Sequence, residues 1–291
     1  MPSPPVIEAL TFTFPANSSD FCLEAIAPDP AVPAAVYAAC DMIGRPQILP
    51  WRNYMRRVRR DLQTALAAEP PRGLDALTAL ARRVLRLHNE LVRAIRERHD
   101  RSAFGFCLAM AAVFAGEARI HWLGDCRAYA VDANGPRCLT RDQNRLQIAV
   151  AGRTAEDPLI LFKSEMMELS RHLDGFLGMN DEAALDALLD AQDVRFRFGP
   201  GAGLLLTTDG LYMPVVRERM DATNHRITEA ELYVEQPLAE IFAAADREPV
   251  RTAAERWMNR AACAARTAVD IGRRRPHYRD DIAMILLHAD V

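Results

Sequence analysis

Three acidic points in this chain stand beside apolar runs. Asp209 follows Gly203-Leu204-Leu205-Leu206-Thr207-Thr208 and precedes Gly210; Asp41 follows Ala38-Ala39-Cys40; Asp280-Asp281 precedes the run from Ile282 to Leu287. An aspartate at the end of a buried strand can hold a cation with its carboxylate, and a following glycine lets the backbone turn sharply. One such Asp-Gly is an ordinary turn. Three acidic points far apart in sequence, each beside an apolar strand, predict one metal centre gathered by a folded sheet. Oxygen-only ligands favour hard dications such as Mg²⁺ and Mn²⁺. Such ions neutralise a phosphate and acidify a bound water, which is the chemistry of phosphate-ester hydrolysis. The chain has no H-E-x-x-H and no Cys/His cluster, so zinc chemistry fits it less well.

The elements that must position these carboxylates are legible from periodicity. Val6 to Phe14, Phe21 to Ala27 and Ala34 to Cys40 read as strands. Trp51 to Ala67 and Leu74 to Arg98 carry apolar residues at helical spacing, separated by Glu69-Pro70-Pro71-Arg72-Gly73. Further strands are expected over Phe104 to Phe114, Arg119 to Leu123 and Arg127 to Val131, with a hairpin at Asn134-Gly135. Asp181 to Ala191 reads as a helix, Val194 to Phe198 as a half-exposed strand, and Leu204 onward as a buried one. Arg217 to Val250 reads as polar and irregular, Arg251 to Ile271 as helical, and Ile282 to His288 as the last strand. Strands and helices are segregated rather than alternating, which predicts an α+β fold with antiparallel sheets. Strands apolar on both faces predict two stacked sheets covered by helices. One domain over residues 1–291 is expected, with a variable excursion at 217–250.

Composition narrows the function classes. A net charge of −3 gives no global pull toward nucleic acid or an acidic membrane. No apolar run reaches the roughly 18 residues of a membrane span, and the first residues lack the pattern of a signal peptide, so a cytoplasmic protein is expected. Six widely spaced cysteines read as reduced thiols in or near the core. The seven histidines do not pair at metal-ligand spacing. Arg52, Arg56, Arg57, Arg59 and Arg60 form a basic cluster on the first helix, either a solvated face or a docking face for an acidic partner.

Further motifs give the carboxylates a context. Gly124-Asp125-Cys126-Arg127-Ala128-Tyr129 follows the strand Ile120 to Leu123, and Leu139-Thr140-Arg141-Asp142-Gln143-Asn144 comes after a hairpin-length gap. With Leu204 to Leu211, Asp280-Asp281-Ile282-Ala283 and the short Phe176-Leu177-Gly178, this succession resembles the metal-dependent Ser/Thr protein phosphatases of the PPM/PP2C family. Their patterns are G-D-S-R-x-Y, L-T-x-D-H, L-L-x-[ST]-D-G-L and D-N-I-T. The resemblance covers roughly Phe12 to the C-terminus and is concentrated from Ser102 onward. It implies a four-layer αββα sandwich and two or three Mg²⁺ or Mn²⁺ ions. It implies Asp41 as the bridging ligand, Asp209 and Asp280 as further ligands, and Asp125 at a third, weaker metal position. Asp20 would match the last residue of R-x-x-N-E-D, and Met42 would offer its backbone carbonyl. Phe162 to His172 falls where the family carries its flap. The implied substrate is phosphoserine or phosphothreonine in a bacterial signalling protein, such as a cognate Ser/Thr kinase or its target.

The N-terminal half departs from the pattern. D-G-x-G-G is replaced by Asp41-Met42-Ile43-Gly44-Arg45, and Asn17-Ser18-Ser19-Asp20 lacks the upstream arginine, a place Arg45 could take as a phosphate-binding group. Gln143 stands where the family has His, and Asp281 where it has Asn. The alternative reading is therefore a weak or inactive phosphatase-like module that regulates a partner by contact.

Overall fold

A computed structural model describes residues 5–14, 20–43, 51–98, 104–151, 165, 168–169, 172–212, 227–245, 248–267 and 281–289. Ten strands form two antiparallel five-stranded sheets. The first sheet is ordered β1 (Ile7–Phe14), β10 (Ile282–Ala289), β9 (Gly203–Thr207), β6 (Arg127–Asp132), β7 (Gly135–Cys138). The second is ordered β2 (Phe21–Ile26), β3 (Ala34–Ile43), β4 (Gly105–Phe114), β5 (Glu117–Leu123), β8 (Val194–Arg197). Helices α1 (Trp51–Ala68), α2 (Leu74–Arg98) and the short α4 (Glu182–Asp190) cover the second sheet. Helices α5 (Ile227–Ala243) and α6 (Val250–Thr267) cover the first, and α3 (Arg145–Val150) follows β7.

The layering follows from alternation within the strands. In β4, Cys107, Ala109, Ala111 and Val113 face the opposite sheet, while Phe106, Leu108 and Met110 face the helices. In β10, Ala283, Ile285 and Leu287 lie between the sheets, and Ile282, Met284 and Leu286 lie under α5 and α6. The layer between the sheets is rich in alanine: Ala35, Ala39, Ala109, Ala111, Ala118, Ala128, Ala130 and Ala283 all lie there. Small side chains let the sheets approach closely, so the bulk of the core sits under the helices.

The expected α+β sandwich is what forms, with two differences. Residues 227–243 of the stretch read as irregular are helix α5, whose buried Val234, Leu238 and Ile241 pack on the first sheet; residues 213–226 lie outside the described part. Strand β3 does not stop at Cys40 but runs to Ile43, so Asp41 lies within a paired strand, opposite Cys107. The strand continues because Asp41 shares the parity of Tyr37 and Ala39, pointing between the sheets, while Met42 takes the helix-facing side and is buried in that core.

Candidate metal centre

The start of β2, the end of β3, the β5–β6 turn, the end of β9 and the start of β10 all meet at one end of the sandwich. Asp20 immediately precedes β2; Asp41 is near the end of β3; Asp125 is in the β5–β6 turn; Asp209 opens the 3₁₀ turn Asp209–Leu211 after β9; Asp281 immediately precedes β10. Asp41, Asp125 and Asp209 are half-buried, whereas Asp20 and Asp281 are buried.

The carboxylates feel one another. Burial pushes the Asp41 carboxyl well above the usual range, and the charges of Asp20, Asp209 and Asp125 push it further, as does a hydrogen bond with the Asp20 side chain. Burial, then the charge of Asp142, raises Asp125 to about 6, against a lowering contribution from a hydrogen bond with the Cys107 thiol. Like charges held this close in a partly dry site are costly unless a cation or a proton joins them.

Side chains around the cluster hold it in place. The Thr208 hydroxyl donates to Asp20 Oδ2 and accepts from the Ala283 amide at 3.0 Å. The Asp20 amide lies 3.4 Å from Asp281 Oδ2. The segment before β2 is thereby tied to the ends of β9 and β10, and Asp281 acts in that tie from a buried position.

The Asp125 turn is held from three sides. Gln143 Oε1 accepts from the Gly124 amide at 3.1 Å, and the Gln143 backbone N–H donates to the Gly124 carbonyl at 2.8 Å. The Tyr212 hydroxyl donates to the Asp125 carbonyl. Arg127 makes a paired contact with Asp142, Nε to Oδ1 at 2.7 Å and Nη2 to Oδ2 at 2.8 Å, and its guanidinium lies 3.9 Å from the centre of the Tyr212 ring. Such a bidentate pair orients both partners.

The structure thus brings Asp20, Asp125 and Asp209 within electrostatic reach of Asp41. Met42 is accommodated by burying its side chain among the helix-facing residues, away from the inter-sheet side on which Asp41 lies. Asp280 and Arg45 lie outside the described residues, as do His277 and most of the segment expected as a flap. Among the described residues no group of three His, Cys, Asp or Glu forms a ready-made metal set. The donor chemistry nonetheless fits a hard dication: the clustered side chains are carboxylates, and the buried Arg127 beside them is engaged by Asp142. Sequence reasoning assigned no role to Thr208, Tyr212, Gln143 or the Arg127–Asp142 pair. Their signal was present, because each lies within or next to a motif that carries one of the aspartates.

No family model matches the chain, and no curated protein matches it in sequence. Solved structures do match. A serine/threonine phosphatase from S. agalactiae is 12% identical, with a TM-score of 0.67 over 98% of this chain and 100% of that one. The PPM Ser-Thr phosphatase MsPP from Mycobacterium smegmatis, in complex with cacodylate, is 19% identical, with a TM-score of 0.56 over 99% of this chain and 100% of that one. The catalytic domain of the serine/threonine phosphatase PstP, in complex with two manganese ions, is 17% identical, with a TM-score of 0.56 over 98% of this chain and 99% of that one. With its paired five-stranded sheets between helical layers and its end-to-end match to these structures, the chain has the fold of the bacterial PPM/PP2C serine/threonine phosphatases.

Proposed function

We propose that this protein is a metal-dependent phosphatase that hydrolyses phosphoserine or phosphothreonine in a partner protein. The observation that carries the reading is the convergence of Asp20, Asp41, Asp125 and Asp209, from separate elements of both sheets, at one end of the sandwich. Asp41 and Asp209 would hold two Mg²⁺ or Mn²⁺ ions together with Asp280, with Asp20 and the Met42 carbonyl completing the set and Asp125 offered to a third ion. Such ions, when bound, neutralise phosphate charge and acidify a water for attack on phosphorus. The manganese in PstP supports this choice of metal.

The chain's own residues have separate tasks. Asp41 reaches the cluster from the inter-sheet side of β3. Gln143 and Tyr212 fix the backbone of the Asp125 turn, so its carboxylate is presented at one angle. Thr208 and Asp281 hold the backbone and side chain of Asp20. Arg45 is proposed to bind the phosphate.

The test is hydrolysis of an aryl phosphate with Mn²⁺ by the protein and by Asp209→Asn. Loss of about 100-fold or more in kcat is expected if the carboxylate holds a catalytic ion. Equal rates in the two proteins would refute the proposal.

One observation favours a second reading, a binding module without turnover. A hydrogen bond between the Asp41 carboxyl and the Asp20 side chain joins the two carboxylates without a cation. Calorimetry with Mn²⁺ separates the two: binding of two ions favours the enzyme, and no binding favours the module.

A further inference from the structure

The arginines of α1 and α2 are treated differently by the fold. On α2, Arg82 pairs with Asp190, Arg83 with Glu69, Arg86 with Asp186 and Arg93 with Glu182. On α1, four arginines are exposed, Arg56, Arg57, Arg59 and Arg60, and only Arg57 and Arg60 lie beside a carboxylate. That carboxylate is Asp61, 3.7 Å from both Arg57 and Arg60 and also 3.3 Å from Nε2 of the buried His88. Among the described residues, Arg56 and Arg59 have no ion-pair partner; Arg56 reaches only Asn53 Oδ1 at 3.4 Å. The chain as a whole is acidic, so this excess of positive charge is local.

The charge also sits at the wrong end of the helix for stability. A helix N-terminus disfavours cations, and α1 has no acidic residue in its first turn and no basic residue in its last. The exposed positions after Asp61 are Gln63, Thr64, Ala67 and Ala68, all uncharged. The arginines therefore cluster in the first half of α1. That half lies toward the same end of the sandwich as the carboxylates: Tyr54 stacks on Phe106 with ring centres 5.2 Å apart, and Phe106 pairs in register with Met42, next to Asp41.

We propose that the outer face of the first half of α1 docks an acidic segment of the partner phosphoprotein, close to the phosphorylated residue. Guanidinium groups without carboxylate partners can each take a carboxylate in a paired contact. The described exposed positions of α1 carry no aromatic side chain on which a base could stack, and no large apolar side chain to enter a bilayer. Charge complementarity therefore selects an acidic peptide. The proposal rests on the phosphoprotein reading only for the identity of the partner.

The experiment uses the full chain with Mn²⁺ and two fluorescent phosphothreonine peptides, one flanked by four Asp or Glu residues and one by neutral residues. Arg56→Gln/Arg59→Gln removes the two unpaired charges without touching the Asp61 pairs. Fluorescence anisotropy should show the acidic peptide binding more tightly than the neutral one. The variant should bind the acidic peptide about three- to tenfold more weakly and the neutral peptide unchanged, with the difference shrinking in high salt. Aryl phosphate hydrolysis, run beside it, reports separately on the catalytic reading; its absence would refute that reading and leave the binding result standing. Equal binding of the two peptides, or of the acidic peptide by parent and variant, would overturn the docking proposal. So would tighter binding of duplex DNA or of phosphatidylserine vesicles that is lost in the same variant.

Discussion

Arg127 and Asp142 form an ion pair almost closed to solvent, with 4% and 12% of their side chains exposed. Breaking such a pair from one side leaves a buried charge uncompensated. Arg127→Met should therefore cost about 3–5 kcal/mol in urea denaturation, and Arg127→Met/Asp142→Leu should recover much of that. A double variant no more stable than the single one would show that the pair is not the source of the loss. His121 presents a different balance. It is fully buried, and neither ring nitrogen has a hydrogen-bond partner of normal geometry. Burial, then the charges of Arg82 and Arg119, lowers it from 6.5 to about 4. The unfolded chain thus takes up this proton at a higher pH than the folded one. Its neutral form supports the fold fully above pH 6.5, and that support is lost as pH falls toward about 4. The loss amounts to about 3 kcal/mol, and His121→Leu should flatten the acid slope of stability measured across that window. An unchanged slope would assign acid sensitivity to other groups.

At the scale of elements, the β5–β6 turn and helix α1 carry the sharpest expectations. Gly124 has φ of +82°, and a Cβ there would lie 2.2 Å from Cys107 Sγ. Gly124→Ala should destabilise by about 1–3 kcal/mol from backbone strain alone, and it should weaken Mn²⁺ binding by displacing Asp125. Full retention of both thermal stability and Mn²⁺ affinity would contradict this account of the turn. Helix α1 buries Met55, Val58, Leu62 and Leu66 against the second sheet, and the Tyr54 hydroxyl lies 2.8 Å from His88 Nδ1 on α2. Leu62→Ala should cost about 2–5 kcal/mol by chemical denaturation, because its fully buried side chain leaves a cavity when truncated. Most of these elements were legible from periodicity, since strands apolar throughout and helices with one apolar stripe leave different spacings. Helix α5 was not, because the glutamates and Pro237 within it mask a stripe made of Val234, Leu238 and Ile241. In sequence Asp41 reads as a strand end because its charge closes an apolar run; pairing with Cys107 and the burial of Met42 carry β3 onward instead.

At the scale of the whole molecule, stability and the candidate site are linked through the sheets' common end. A cation that binds only the folded chain should stabilise it, by about 2.7 kcal/mol at a concentration one hundred times its Kd. Mn²⁺ should therefore raise the melting temperature of the protein and raise it less for Asp209→Asn; identical shifts would place the ion elsewhere. No helix among the described residues is long and apolar enough to cross a membrane. The sequence by itself determined the layered α+β architecture, because alternation within strands and stripes along helices specify which faces must be buried. It also determined the residue types of the site, because aspartates next to apolar runs and tight turns stand out against either pattern. The resemblance offered Asp20 from its least similar segment; only the tertiary structure decided that its side chain lies beside Asp41, which also feels Asp125 and Asp209. It alone decided that Gln143, Thr208 and Asp281 hold those groups in place, and that Asp61 pairs with Arg57 and Arg60 but leaves Arg56 and Arg59 without a carboxylate among the described residues. The physical reason is distance along the chain. The Thr208 hydroxyl meets the carboxylate of Asp20 across 188 positions of sequence, a contact no local spacing encodes and only the pairing of distant strands brings about.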